Sequence, residues 1–342
     1  MVTIKDIARR AGVSRGTVDR VINGRPGVNP ETMAVIRTLM EEMGYHPNAA
    51  GQMLAAWKRK LRLAFLIVDG PSFVFFHDIL VAAQEKAAEL QELGVTVDFY
   101  LIQQFDRPYL EKLLGEVEAS APDGIAALPL RTKPFITFME HVNARGISTV
   151  FFNTDENFAH RLCYVGCDYA RAGQVAAGLA ALCTGNQGKV GIVTCDGPSA
   201  LSFTARMSGF GSELKKRYPK VILADNGIPA IFYDNEYTQV EKLLCSHPDL
   251  RALYIVNLGD FSVCQRVQEM VGGRHLAVIT NDLVPVQKKL LKKGSISATI
   301  SQQPEAQGAL PLQILFDHLI LGKHPPQDKI MTTLDIHVAQ NA

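Results

Sequence analysis

The chain has 342 residues, of which 47% are hydrophobic and 20% are charged, and its formal net charge is +1. This length and apolar fraction exclude a disordered protein and leave room for more than one domain. We find neither an N-terminal signal segment nor a run of about 18 apolar residues that could cross a membrane, so we expect a cytoplasmic protein.

The first 23 residues predict two short helices joined by a tight turn. Thr3 and Asp6 have the spacing of a capping box, Gly12 supplies the turn, and Ser14 caps the second helix. The outer face of that helix carries small polar and basic residues, namely Arg15, Gly16, Thr17 and Arg20, with Asn23 at its end. Such side chains reach base edges in a DNA major groove. The alternative is a small helical bundle with a solvated basic face.

A third helix is predicted from Pro30 to Gly44, because Asn29 and Pro30 form a typical helix start and a glycine ends the apolar stripe. Residues 1–60 hold ten Lys and Arg against five Asp and Glu, a net charge of +5. Since the whole chain carries +1, the remainder carries −4. The basic N-terminal segment is therefore the part expected to bind a polyanion.

Residues 2–60 resemble the DNA-binding headpiece and hinge of the lactose/galactose-repressor (LacI) family. The matching stretches are Thr3-Ile4-Lys5-Asp6-Ile7-Ala8, Ala11-Gly12-Val13-Ser14, Thr17-Val18, Arg20-Val21-Ile22-Asn23-Gly24, Gly44-Tyr45-His46-Pro47-Asn48 and Leu54. The resemblance implies a headpiece over 1–47 and a hinge helix and linker over 48–60. It also implies a homodimer on operator double-stranded DNA, with Leu54 of each hinge entering the minor groove. The implied DNA-binding residues are Thr3, Ser14, Arg15, Gly16, Thr17, Arg20, Asn23, Tyr45, Asn48 and Leu54.

After residue 60, short apolar strands alternate with amphipathic helices. Strands are predicted over 63–68, 95–100, 124–128, 148–152, 189–194, 252–256 and 276–280, and helices include 76–93 and 134–144. This alternation predicts an α/β protein with two lobes, each built on a doubly wound parallel sheet. Ligands of such sheets bind beyond the carboxyl ends of the strands, so we expect a site in the cleft between the lobes.

From about residue 61 the chain is also similar to the periplasmic sugar-binding-protein fold that the LacI family uses as its effector domain, and most to its ribose-binding subgroup. The residues that carry this resemblance include Phe75-Phe76, Val165-Gly166-Cys167-Asp168, Arg206-Met207-Ser208-Gly209-Phe210, Asn281-Asp282-Leu283 and Gln302-Gln303-Pro304. It implies an effector-binding domain over 61–342. We expect lobe 1 over about 61–167 and 300–324, and lobe 2 over about 168–299 and 325–339.

A sugar or polyol effector needs hydrogen bonds to its hydroxyls and an apolar face against its C–H groups. The predicted effector-binding residues are Phe75, Phe76, Asn153, Arg206, Asn257, Asp282 and Gln302. Asn153 stands where ribose binders have an aspartate, so the ligand of that subgroup does not transfer to this chain. Asp168, Asp260 and Asp282 could instead cap helices.

No catalytic constellation is evident, and we expect no enzyme, no cofactor and no metal. Cys163 and Cys167 are interpreted as buried core thiols, because the six cysteines contain no Cys-x-x-Cys pair. The sequence thus predicts a transcriptional regulator, most simply a repressor, controlled by a small molecule. Two alternatives remain: the same regulator responding to a nucleobase or a phosphorylated metabolite, and a solute-binding transport protein.

Overall fold

The computed structural model describes residues 2–22, 27–44, 60–71, 73–157, 160–195, 201–232, 236–256 and 261–342. The N-terminal part contains three helices, α1 (Ile4–Ala11), α2 (Arg15–Ile22) and α3 (Pro30–Glu42). They enclose a small core around Ile7, Val18 and Ile36, which are fully buried. The predicted hinge over 48–60 lies outside the described residues except for Lys60.

The first lobe contains a six-stranded parallel sheet. Its strands are β1 (Arg62–Val68), β2 (Thr96–Ile102), β3 (Gly124–Ala127), β4 (Ser148–Phe152), β5 (Cys163–Gly166) and β12 (Lys329–Met331), in the order β12-β5-β4-β3-β1-β2. The helices packed against it are α4 (Val74–Glu92), α5 (Arg107–Ala119), α6 (Lys133–Ala144) and α12 (Pro304–Leu321). The central strands are buried on both faces, which is why they read as continuous apolar runs.

The second lobe contains a seven-stranded sheet. Its strands are β6 (Gly188–Thr194), β7 (Val221–Leu223), β8 (Ala230–Ile231), β9 (Leu250–Val256), β10 (Ala277–Asn281), β11 (Ala298–Ser301) and β13 (Asp335–His337). The order is β13-β11-β10-β9-β6-β7, with β8 beside β6 and only β13 antiparallel to its neighbour among the described pairs. Its helices are α7 (Tyr169–Thr184), α8 (Leu201–Arg217), α9 (Thr238–Ser246), α10 (Ser262–Met270) and α11 (Pro285–Lys292).

The alternation of strands and helices predicted from the sequence is confirmed. The chain passes between the two sheets after β5, after β11 and again after β12. The division of the lobes differs at the C-terminus from the one expected. Residues 329–331 pair with β5 in the first sheet, whereas 325–339 was assigned to the second lobe. Residues 300–301 end β11 of the second sheet, whereas they were assigned to the first lobe.

The reason for this difference is the weak pattern of β12. Its three residues, Lys329, Ile330 and Met331, lie at the edge of the sheet and are all at least partly exposed. An edge strand of this length has neither the apolar run nor the strict alternation that would assign it to a sheet. No helix in the described ranges is long and apolar enough to span a bilayer.

Candidate functional site

Three residues with left-handed backbone conformations follow strands of the two sheets. Asn153 has φ 61° after β4, Asp282 has φ 72° after β10, and Gln303 has φ 51° shortly after β11. Residues other than glycine adopt this conformation only when their surroundings compensate its cost, which is of order 1–3 kcal/mol each. Their clustering at strand ends marks the edge that faces the cleft, where the sequence predicted the effector site.

A chain of hydrogen bonds joins the polar residues of this edge. Asn153 Nδ2 donates to Gln307 Oε1 (3.0 Å), and Gln307 Nε2 donates to the Gln302 carbonyl oxygen (2.7 Å). Gln302 Nε2 then donates to Asp282 Oδ1 (2.7 Å), while its Oε1 accepts from the Cys167 thiol (3.0 Å). The structure therefore connects Asn153 of the first lobe to Asp282 of the second through Gln302 on the segment between them.

Arg206 enters the same region from α8 and is only 3% exposed. Its guanidinium carbon lies 4.7 Å from the centre of the Tyr169 ring, within the range of a cation–π contact. The Tyr169 hydroxyl donates to the carbonyl oxygen of Asn153 (2.8 Å), which also accepts from the Tyr164 hydroxyl (2.7 Å). Tyr169 thus links the arginine of one lobe to the backbone of the other.

The electrostatics of this cluster are dominated by burial. Burial raises the pKa of Asp282, although the Arg206 charge and the Gln302 hydrogen bond both act to lower it. Burial acts to lower the pKa of Arg206, but the Asp282 charge and three neighbouring groups keep it raised, so the guanidinium stays charged. Burial also raises the pKa of the Cys167 thiol to about 12, which makes it a neutral hydrogen-bond donor.

The floor of the cluster contains two residues of the second sheet. Asn281, at the end of β10, is 2% exposed and accepts a hydrogen bond at Oδ1 from the Tyr254 hydroxyl (2.8 Å). Its Nδ2 has no hydrogen-bond partner among the described residues. A buried amide donor in this state costs free energy and is available to an acceptor such as a hydroxyl oxygen.

Phe75 and Phe76 lie at the start of α4, directly after the turn that follows β1. Their rings contact each other edge to face, with centroids 5.4 Å apart, and both are partly exposed. They lie at the same sheet edge as Asn153, and both pack against the core of the first lobe. Asn257, the remaining predicted effector residue, lies outside the described residues.

The structure shows that Asp168 caps a helix and that Asp282 does not. Asp168 caps α7, because its Oδ1 accepts from the Arg171 backbone N–H (2.9 Å). Asp282 does not cap α11, so that alternative was wrong. The helix starts two residues later at Val284, whose N–H donates to Gln287 Oε1 (3.0 Å), with Pro285 in the first turn. Asp282 is thereby available to the cleft. Asp260 lies outside the described residues.

The sequence analysis missed Tyr169, Gln307, Tyr254 and Asn281 as parts of this cluster, and it interpreted Cys167 only as a core thiol. Cys167 is indeed only 3% exposed, yet its thiol donates a hydrogen bond to Gln302 Oε1. Tyr254 lies within an apolar strand, and its ring stacks on that of Phe210 with centroids 4.8 Å apart. The sequence pattern therefore indicates a core residue and gives no sign of the role of its hydroxyl. Tyr169 carried one usable signal, its place immediately after the helix cap Asp168.

The cluster offers hydrogen-bonding groups of the kinds that a polyhydroxylated ligand requires. Arg206 and Asn281 supply donors, Asp282 supplies an acceptor, and Asn153 can supply both. Among the described residues, no group of His, Cys, Asp and Glu side chains has the arrangement of a metal site. Asp282 is the single carboxylate of the hydrogen-bonded cluster within the described ranges, and a lone carboxylate provides no acid/base pair.

The N-terminal helices present a second candidate site. Thr3 and Asp6 form the capping box of α1, with Asp6 N–H donating to Thr3 Oγ1 (3.4 Å) and Thr3 N–H donating to Asp6 Oδ2 (3.0 Å). Gly12 makes the turn at φ 67°. Ser14 Oγ accepts from the Thr17 N–H (3.1 Å) and so caps α2.

The outer surface of α2 is polar and basic. The residues on it are Ser14, Arg15, Gly16 and Arg20, which are exposed, and Thr17, which is partly exposed. Val18 and Val21 on the opposite face are buried against α1 and α3. An exposed helix of this composition has the shape and charge to enter a major groove. Asn23, Tyr45, Asn48 and Leu54 lie outside the described residues.

Two family models match the chain. Residues 64–324 match a periplasmic binding protein domain, and residues 3–48 match bacterial regulatory proteins of the lacI family. Among curated proteins, the HTH-type transcriptional regulator GalR of Escherichia coli (strain K12) is 34% identical over 114 residues, 33% of either chain. The sucrose operon repressor of Escherichia coli is 32% identical over 126 residues, 36% of this chain and 37% of the repressor. The chain thus spans about a third of the length of these curated relatives.

Solved structures resemble the larger part of the chain. A putative LacI transcriptional regulator from Bacteroides fragilis superposes with a TM-score of 0.71 at 19% identity, covering 82% of this chain and 98% of that one. The glucose-galactose binding protein GanP from Geobacillus stearothermophilus has a TM-score of 0.69 at 21% identity, with the same coverage. At these identities the likeness shows the two-lobed fold alone.

Proposed function

This chain belongs to the LacI/GalR family of bacterial regulators, and we propose that it is a sequence-specific DNA-binding repressor whose operator affinity is set by a small molecule bound between its two lobes. The observation that carries the proposal is the presence, in one chain, of the exposed basic face of α2 and the buried polar cluster around Arg206. The first has the chemistry of a DNA reader and the second that of an effector site.

We propose a sugar or polyol as the effector, because the cluster offers paired donors and acceptors for vicinal hydroxyls. Asn153 belongs to the first lobe, whereas Arg206 and Asp282 belong to the second. A ligand that contacts both sides binds the closed arrangement of the lobes more tightly than the open one. It therefore shifts the population toward closure, and this shift is the coupling free energy that reaches the DNA-binding end.

The DNA-binding unit is proposed to be a homodimer acting in the cytoplasm, with two headpieces on a roughly palindromic operator. Arg15, Gly16 and Arg20 would face the bases. The residues proposed to contact the DNA backbone are Thr3, Asn23, Tyr45 and Asn48. Leu54 would act from the hinge, where an apolar wedge in the minor groove costs a few kcal/mol per step and is offset by added contacts.

Selection of binding sites from a pool of random DNA duplexes, followed by gel retardation, tests the first part of the proposal. We expect enrichment of a two-fold symmetric sequence. Arg15→Gln and Arg20→Gln should each weaken binding by about tenfold or more, since a specific base contact contributes ~1–3 kcal/mol. Lys112→Gln is the control, because Lys112 lies on α5 and its side chain is 81% exposed. Absence of any enriched sequence contradicts the proposal.

Titration of the selected complex with sugars and polyols tests the second part. A true effector should change the operator affinity of the wild type and raise its melting temperature. Arg206→Ala should retain operator binding and lose the response. An equal response in Arg206→Ala would show that the effector site lies elsewhere.

A further inference from the structure

A cavity is lined by residues of both lobes. Its volume is ≈ 530 Å³, and its lining residues are Arg131, Asp155, Glu156, Asn157, His160, Arg161, Leu201 and Lys329. We call it the rim cavity. Asp155 and Glu156 follow Asn153 on the same loop, and Leu201 begins the described part of α8, the helix that carries Arg206. Two of the segments that line the rim cavity therefore also carry residues of the cluster.

The carboxylates of the rim cavity are already occupied. Asp155 accepts from Arg161 Nε (2.6 Å) and Nη2 (2.9 Å) and forms an ion pair with Lys329 Nζ (2.8 Å). Although burial acts to raise it, these bonds from Arg161 and Lys329 hold the pKa of Asp155 below its ordinary value, so it stays ionised. Glu156 is buried, and its Oε1 accepts from Arg131 Nε (2.6 Å). Each carboxylate of the rim cavity is therefore paired with at least one cation.

The cationic groups, in contrast, have donors to spare. Arg131 bonds to Glu156 through Nε, and its two Nη groups make no hydrogen bond within the described chain. Lys329 Nζ carries three N–H bonds and has one ion-pair partner among the described residues. The two side chains are 57% and 46% exposed, and His160 is exposed beside them. Arg161 uses three of its five N–H donors, two on Asp155 and one on the Asp328 carbonyl oxygen.

We infer that the rim cavity binds an oxyanion, a phosphate ester or a carboxylate, carried by the effector whose hydroxyl-bearing part occupies the cluster around Arg206. The argument is one of complementarity: a surface with occupied acceptors and spare charged donors selects a ligand group that only accepts. The inference rests on the proposed function, because it treats the cluster as the effector site. The ligand class it specifies is an anionic sugar derivative.

The two sites share one helix. Leu201 and Arg206 are five residues apart on α8, which corresponds to about 7.5 Å along the helix axis. The helix thus carries a lining residue of the rim cavity within two turns of the arginine of the cluster. Since Leu201 belongs to the second lobe and Arg131 to the first, an anion held in the rim cavity also lies where the lobes meet.

Inorganic phosphate, followed by the line width of its ³¹P resonance, tests the anion site in the full-length protein. We expect broadening by the wild type and at least a tenfold weaker effect with Arg131→Gln/Lys329→Gln, because two charged donors are lost. Arg131→Lys/Lys329→Arg keeps both charges and should restore most of it. Lys112→Gln should behave as the wild type. Equal broadening in the double glutamine variant overturns the inference.

The headpiece could also hold phosphate, so Arg15→Gln/Arg20→Gln is measured in parallel. If broadening depends on Arg15 and Arg20 and not on Arg131 and Lys329, phosphate occupies the headpiece and the rim cavity is not an anion site. Dependence on Arg131 and Lys329 alone supports the inference.

Melting temperatures with matched ligands then identify the source of the anion. Glucose, glucose 6-phosphate and glucuronate form one set, and ribose and ribose 5-phosphate form another. We expect an anionic member to stabilise the wild type more than its neutral partner, and the difference to vanish in Arg131→Gln/Lys329→Gln. A preference for the phosphate or for glucuronate separates an ester from a carboxylate. Stabilisation by the neutral sugars alone overturns the assignment of an anionic effector.

Measurements of operator binding distinguish a failure of the anion-site inference from a failure of the proposed function. If the double glutamine variant loses phosphate binding yet retains operator affinity and a response to a neutral sugar, the rim cavity binds anions but does not report to DNA. If the wild type binds phosphate through Arg131 and Lys329 but selects no operator, the proposed function fails while the anion site stands.

Discussion

Gly173 of α7 faces the backbone carbonyl oxygen of Arg206 so closely that a Cβ on the glycine would lie 1.9 Å from that oxygen. The relationship is reciprocal, since a Cβ on Gly209 of α8 would lie 1.8 Å from the Ala170 carbonyl oxygen. The two helices therefore meet backbone to backbone. This close approach fixes the distance at which Arg206 stands above Tyr169, and with it the geometry of the proposed effector site.

Gly173→Ala and Gly209→Ala should each destabilise the second lobe, because the helices must separate to admit the methyl group. Overpacking of this kind costs about 1–3 kcal/mol or more in the free energy of unfolding, which urea denaturation followed by circular dichroism measures. Gly178→Ala is the matched control on α7. Its Cβ would meet only the Tyr218 hydroxyl at 3.7 Å, so we expect unchanged or slightly raised stability. Equal effects of all three substitutions would show that the close approach is not a constraint.

Substitutions at Tyr169 should separate its two contacts. Tyr169→Phe keeps the ring beneath Arg206 and loses the hydrogen bond to the Asn153 carbonyl oxygen, which Tyr164 still serves. We expect a loss of about 0.5–1.5 kcal/mol in the free energy of unfolding. Tyr169→Leu removes the cation–π contact as well, worth about 2 kcal/mol when desolvated. Effector affinity should follow the same order by calorimetric titration, and equal losses in the two variants would contradict a role for the ring.

The elements that the sequence predicted correctly are those with a strong local pattern. The apolar run 63–68 and the stripe 134–144 appear as β1 and α6 with shifts of one residue at most. The capping box of Thr3 and Asp6 was also visible, because four consecutive residues suffice to form it. Pairing of β12 with β5 joins residues more than 160 positions apart, and no local pattern encodes it.

The same distinction applies to the candidate site. Asn153, Arg206, Asp282 and Gln302 were predicted as effector residues because each is a polar residue at the end of a strand or within a motif. The structure brings these four side chains into one cluster. Tyr169 was not, because its role arises from the crossing of α7 and α8 and from the passage of the chain between lobes. The alternative of a helix cap at Asp282 could have been excluded from the sequence, since Pro285 in the first turn indicates a helix that starts after Val284.

Asp282 should make the stability of the second lobe depend on pH. Its pKa is raised from 3.8 by burial, so the unfolded chain releases this proton at a lower pH than the folded one. The protonated carboxyl makes its full contribution to the free energy of unfolding below pH 3.8. That contribution is lost as the pH rises through the pKa of Asp282 in the folded state. Asp282→Asn cannot titrate. Its melting temperature should therefore improve relative to the wild type as the pH rises above 3.8, and parallel pH profiles would contradict the shift.

Ser14 offers a test that separates helix stability from DNA contact. Ser14→Ala removes the cap on the Thr17 N–H and should cost about 1 kcal/mol, which raises the amide exchange rates of Val18 and Val21 about fivefold. Ser14→Asn and Ser14→Asp retain a capping oxygen and should exchange as the wild type does. Because Ser14 is exposed on the proposed DNA-binding face, the added carboxylate of Ser14→Asp should repel phosphates and weaken operator binding, whereas Ser14→Asn should not. Equal operator affinities for the two variants would show that Ser14 does not lie near the DNA backbone. Its role would then be limited to capping α2.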